Sequence, residues 1–171
     1  MLKDCKKDGI LTKDVLAGIP GYKMDEVRAA AGPVVCIECA ENIPCNPCET
    51  SCPQGAITVG NPITNLPSVD TSKCIACGKC VATCPGLAIF LINAHHAPKR
   101  ASVTFAYEYL PVPAVGDTVP AINREGQVIC DAVIEKVVRV KAYDMTNVMT
   151  ISFPEEYIEE VRGIARRKGD K

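Results

Sequence analysis

Nine of the chain's eleven cysteines fall between Cys36 and Cys84. Clustered thiols with no obvious secretion signal point to metal chemistry, not to a disulfide scaffold. The second run is regular: Cys74-x2-Cys77-x2-Cys80-x3-Cys84-Pro85. Three closely spaced thiolates can wrap one face of a four-iron cubane. The fourth, followed by proline, is directed to a different cluster. Zinc sites use separated Cys-x2-Cys pairs to make a tetrahedron and do not need a triple run closed by Cys-Pro.

The first run, "CIECAENIPCNPCETSCP" (36–53), has five cysteines for four places. Cys48-x3-Cys52-Pro53 repeats the end of the second run. The first two places fall either to Cys36 and Cys39 or to Cys39 and Cys45. Cys36-x2-Cys39 keeps a tight opening turn and places eight residues before Cys48. The other choice opens a five-residue gap inside that turn. Motif spacing favours Cys36, Cys39 and Cys48, with Cys84 closing the first set and Cys45 an alternative ligand in an inserted loop. Cys52, Cys74, Cys77 and Cys80 form the second set. Cys5 and Cys130 stand alone and read as small core residues. His95 and His96 read as solvated loop residues.

Elements that would position these thiols can be read around them. "CNPCETSCPQGAITV" (45–59) echoes "CGKCVATCPGLAIFL" (77–91). Each half runs from a short strand candidate, Val34–Val35 or Ser68–Asp70, through a cysteine loop to an apolar strand, Ile57–Val59 or Ile89–Ile92. "GNPITNLP" (60–67) connects the halves. Residues 1–33 form a polar leader with turn signals at 18–22 and 31–33 and a short helix over 23–31. Residues 99–171 alternate Val, Ile and Thr with polar residues, which predicts strands near 102–109, 118–122, 127–131, 133–142 and 147–153. Residues 154–171 predict a terminal helix, with Pro154 at its start, acids in the first turns and bases in the last.

The fold class expected is therefore α+β: a dicluster unit over 34–98, then a small β-rich barrel or sandwich over 99–171 with a C-terminal helix. The 19 basic and 20 acidic residues balance, so no field attracts nucleic acid or a membrane surface. No apolar run of spanning length and no signal-peptide core are visible, which places the chain in the cytoplasm. No dinucleotide fingerprint and no nucleophile–base motif are present, so catalysis is expected on another subunit.

Residues 34–92 resemble a bacterial-type dicluster ferredoxin. That resemblance implies two [4Fe-4S] clusters, crossed ligation, and βαβ halves in an antiparallel sheet with both clusters on one side. With a β-rich tail attached, the chain is also similar to the small iron–sulfur subunits of multi-subunit flavin-dependent dehydrogenases of anaerobic bacteria. Those complexes oxidise amines, imino acids or related small molecules. This second resemblance implies an electron-transfer subunit in a hetero-oligomer, with FAD or FMN on the partner. The competing expectation is a free-standing ferredoxin-type carrier. A net charge of −1 and the appended domain argue against a shuttle.

Overall fold

In a computed structural model, residues 9–22 and 31–166 are described. The leader contributes helix α1 (Lys13–Ala17), whose Val15 and Leu16 are buried. The cysteine-rich unit contains β1 (Val34–Ile37), α2 (Pro47–Thr50), β2 (Ile57–Thr58), β3 (Ser68–Val69), α3 (Lys79–Thr83) and β4 (Ile89–Ala97). Strands β5 (Arg100–Tyr107), β6 (Thr118–Ile122), β7 (Val128–Val138), β8 (Asn147–Pro154) and β9 (Gly163–Ile164) follow. Two 3-10 turns, Lys141–Tyr143 and Glu155–Tyr157, flank β8.

Seven strands form one sheet in the order β1-β4-β5-β8-β7-β6-β9, all antiparallel; β2 and β3 pair separately. The sheet curls around an apolar interior. Phe90, Val103, Phe105, Val119, Ile134, Met149, Ile151 and Phe153 meet there. The β1 edge and the β6–β9 edge are joined by side chains. Arg124, in the β6–β7 turn, donates from Nε and Nη2 to the two Glu38 carboxylate oxygens at 2.8 and 2.6 Å. Arg162, just before β9, donates from Nε to Glu38 at 2.6 Å. Glu38 and Arg162 are buried. Burial alone would raise the Glu38 pKa; the Arg124 hydrogen bond and both guanidinium charges outweigh it and hold the carboxyl below its ordinary value.

Strand alternation gives this sheet two apolar faces at its β1–β4 end. Cys36, Phe90 and Ile92 point into the curled interior. Val35, Ile37, Ile89 and Leu91 point outward, onto Cys48, Ile57, Val59, Cys80 and Val81 of the cysteine loops. Gly21 seats the leader on the same strand. Its carbonyl accepts from Ile37 N–H at 2.9 Å, and a Cβ there would lie 2.7 Å from Ile37 Cβ.

The structure differs from the sequence-based reading at three places. The expected boundary at 98/99 falls in the turn between β4 and β5, which are paired strands of one sheet. The strands expected over 127–131 and 133–142 are one strand, β7, with a bulge between Ile134 and Lys136. No α-helix is present over 154–166: a 3-10 turn and β9 stand there instead. Val161 and Ile164 are buried, as an apolar helix face would be, but through the sheet interior. Gly163 and the β6 edge, which pairs with it, favour extended backbone over helix at that point. The helix expected over 23–31 and the end of the tail lie outside the described residues.

Candidate metal centre

The two cysteine runs interleave. Cys39 leaves the end of β1, Cys45 enters α2, Cys48 sits in α2, and Cys84 caps the end of α3. These four thiol-bearing residues line one cavity of about 540 Å³. It reaches past them to Glu38, Arg124 and Arg162. Cys52 follows α2, Cys74 and Cys77 lie in the loop before α3, and Cys80 is within it. These four line a second, narrower cavity. Each ring thus takes three cysteines from its own run and one from the other.

The halves repeat in detail. Ala56 N–H donates to Cys52 Sγ at 3.2 Å, and Ala88 N–H donates to Cys84 Sγ at 3.4 Å. The residues preceding those cysteines meet across the axis, Ser51 Oγ to Thr83 Oγ1 at 3.0 Å. Ala76 N–H donates to Cys74 Sγ at 3.4 Å. Amides aimed at sulfur stabilise negative charge there and set the potential of whatever the sulfur binds.

Cys36, expected in the first set, does not line this cavity. It lies inside β1 opposite Phe90, with its side chain in the curled interior, where the thiol reaches Tyr22 O at 3.8 Å. Turning it toward the cavity would require a one-residue slip of β1. That slip would take Val35 and Ile37 out of their packing, at about 1.5–3 kcal/mol each. The sequence signal was the apolar stretch Val34–Ile37: a strand that continues through Ile37 forces Cys36 and Cys39 onto different faces. Ending the strand at Val35 conceals this. Cys45, the alternative ligand, lines the cavity with Cys39, Cys48 and Cys84.

Burial pushes the Cys48 thiol up to about 11 and the Cys80 thiol up to about 12, with neighbouring thiols adding to both. Cys39 is raised for the same two reasons, partly offset by a backbone amide. These three thiols are costly to ionise, and a polynuclear cation core removes that cost by taking the thiolates as ligands. Among the described residues no histidine lines either cavity. No three His, Cys, Asp or Glu side chains among them converge closely enough to hold a single metal ion. Thiol-only rings around a space, with amides directed at sulfur, fit an iron–sulfur cubane.

Sequence reasoning missed what the tail does here. Tyr143 donates its hydroxyl hydrogen to Cys77 O at 2.6 Å. Gly78 next to it has φ +78°, and a Cβ there would stand 2.9 Å from the Tyr143 hydroxyl. A tyrosine 66 positions away carries no local signal for this contact. Cys130 lies on β7, half-buried against the interior. Cys5 is outside the described residues. His95 and His96 are on the exposed end of β4, not in a loop, and His96 Nε2 is 3.6 Å from Glu135. Among the described residues no helix is long and apolar enough to cross a membrane.

Comparison with known proteins bears on the second cysteine run. The family model for the 4Fe-4S binding domain matches residues 67–90. A protein named as an uncharacterised ferredoxin from Methanocaldococcus jannaschii is 44% identical over 68 residues, 39% of this chain and 40% of its own. One component of an ion-translocating oxidoreductase complex from Methanosarcina acetivorans is 51% identical over 49 residues, 29% of this chain and 17% of its own. One component of the F420H2 dehydrogenase of Methanosarcina mazei is 38% identical over 58 residues, covering 34% and 33%. The chain therefore spans less than half the length of each of these relatives. No solved structure matches it. Residues 67–90, which carry Cys74, Cys77, Cys80 and Cys84, are a 4Fe-4S binding segment of the ferredoxin type.

Proposed function

We propose that this chain holds two [4Fe-4S] clusters and serves as an electron-relaying subunit of an oxidoreductase complex. Cys39, Cys45, Cys48 and Cys84 hold the first cluster; Cys52, Cys74, Cys77 and Cys80 hold the second. The observation that carries the reading is the exchange of Cys52 and Cys84 between the rings, so that each cavity is lined by cysteines of both runs. Bound there, such clusters supply one-electron redox chemistry. The chain's own residues bury the thiols, exclude water with Val35, Leu91 and Val81, and direct the Ala56, Ala76 and Ala88 amides at sulfur.

The catalytic partner in this reading is a flavin-bearing subunit in the cytoplasm that oxidises an amine, an imino acid or a related small molecule. The resemblance to small subunits of flavin-dependent dehydrogenases supports it. The names of two relatives, components of oxidoreductase complexes, support the coarser part of it, membership of such a complex. Anaerobically purified protein should contain about eight iron and eight sulfide per chain. Its reduced form should give the electron paramagnetic resonance of two interacting cubanes. Two zinc with no acid-labile sulfide would sink the proposal.

A further inference from the structure

The two rings are not equally open to solvent. Of the eight thiols, Cys77 alone is exposed. Ile75, between Cys74 and Cys77, is 59% exposed. Beside it stands a loop from the tail, closed on itself by Met145 N–H to Val140 O at 3.2 Å and Arg139 Nε to Met145 O at 3.1 Å. The loop is pinned against the second ring by the Tyr143 hydroxyl on Cys77 O. The same loop carries Val140 and Met145, exposed at 42% and 48%.

The charges around these apolar residues are mostly of one sign. Lys73 and Lys79 flank the thiols of the ring, and Arg139 and Lys141 come from the loop. The acids next to them in sequence are Asp70 and Asp144; Asp70 and Lys73 pair with each other at 3.1 Å and so offset one another. The chain as a whole is nearly neutral, at −1. With the Asp70–Lys73 pair set aside, Lys79, Arg139 and Lys141 stand against Asp144, a local excess of positive charge. Exposed apolar side chains ringed by charge of one sign are what a reversible protein contact uses: the charge steers, and the apolar centre excludes water at the transfer point.

We propose that the face formed by Ile75, Cys77, Val140 and Met145, with Lys73, Lys79, Arg139 and Lys141 around it, docks a small acidic one-electron carrier protein. The proposal rests on the two-cluster reading above. One electron leaves the reduced carrier and enters the chain at the Cys77 side. The carrier is oxidised by one electron and the chain reduced by one, with no bond made or broken.

The test uses the whole anaerobic protein, with a reduced acidic bacterial ferredoxin as the probe donor and stopped-flow bleaching as the readout. The second-order rate should fall about tenfold or more as salt rises from about 20 mM to about 0.5 M. Lys141→Glu should lower the low-salt rate severalfold and flatten the salt dependence. Lys99→Glu, in the turn between β4 and β5 at the other end of the sheet, should do neither. Iron content and paramagnetic resonance are measured on every variant. Absence of two cubane signals in the unsubstituted protein would overturn the two-cluster reading. Two intact clusters with a rate indifferent to salt and to Lys141→Glu would overturn the docking face alone. A basic cytochrome reacting faster at low salt than at high would also overturn it, since the face would then be net acidic.

Discussion

The two thiol rings are built from the same repeat, yet they are held differently. The second ring has regular spacing, a tight cavity and a tail residue, Tyr143, bonded to its backbone. The first has a five-residue gap between Cys39 and Cys45 and a cavity that widens toward the Glu38–Arg124–Arg162 cluster. What they share is a β-strand packed behind the loop and a short helix carrying a buried cysteine, Cys48 or Cys80. The geometry of a ring thus depends on where the strand ends and the helix begins, and the loop between them tolerates length. Both rings also rest on one sheet whose other strands come from the tail.

The largest effect should follow removal of residues 99–171. Strands β5 to β9 are then lost, and Phe90, Ile92 and Cys36 lose their interior partners. The shortened chain should show no cooperative unfolding and should lose both clusters on anaerobic gel filtration. Recovery of about eight iron per truncated chain would show that the rings do not need the tail.

Cysteine substitutions separate the rings next. Cys45→Ser should leave about four iron per chain, those of the second ring, whereas Cys36→Ser should keep about eight. Iron and sulfide analysis decides it, and the reverse pattern would restore Cys36 to the first ring.

Glu38→Gln leaves a buried guanidinium, Arg162, and a half-buried one, Arg124, without their anion. Removing one partner of a buried ion pair costs about 3–5 kcal/mol. The loss should appear as a lower denaturant midpoint, with the signal of the first ring disappearing ahead of the second. Simultaneous loss of both would mean that Glu38 supports the sheet without favouring its neighbour Cys39.

The smallest effect is expected from Tyr143→Phe, which deletes one hydrogen bond worth about 1 kcal/mol. The second ring should bleach faster in air while the first is unchanged. Equal bleaching of both would show that the Tyr143 contact does not hold the Cys77 loop.

Much of this was legible in the residues. The paired Cys-Pro runs pointed to the chemistry and to the crossed exchange of Cys52 and Cys84, because thiol spacing within a few residues is set by local backbone geometry alone. The Val, Ile and Thr alternation located β5, β6 and β8. Where the chain has to choose between two local solutions, periodicity was silent. Cys36 or Cys45 depended on the face of a strand that runs on past Val35. The segment after Pro154 has an apolar spacing that suits a helix, and it buries the same Val161 and Ile164 through a turn and a strand.

Local residue pattern alone was enough to indicate two cysteine groups joined by an exchange of their Cys-Pro members, followed by a β-rich unit. Tertiary structure alone decided that these are parts of one sheet. Pairing of β4 with β5 and of β5 with β8 joins residues up to about fifty positions apart, from Arg100 to Pro154, and no local pattern specifies a partner at that distance. It also decided which thiols meet, because Val35 and Ile37 pack outward and carry Cys36 inward. Finally it placed Tyr143 on Cys77 and Glu38 between two arginines, contacts that exist only after the sheet has curled.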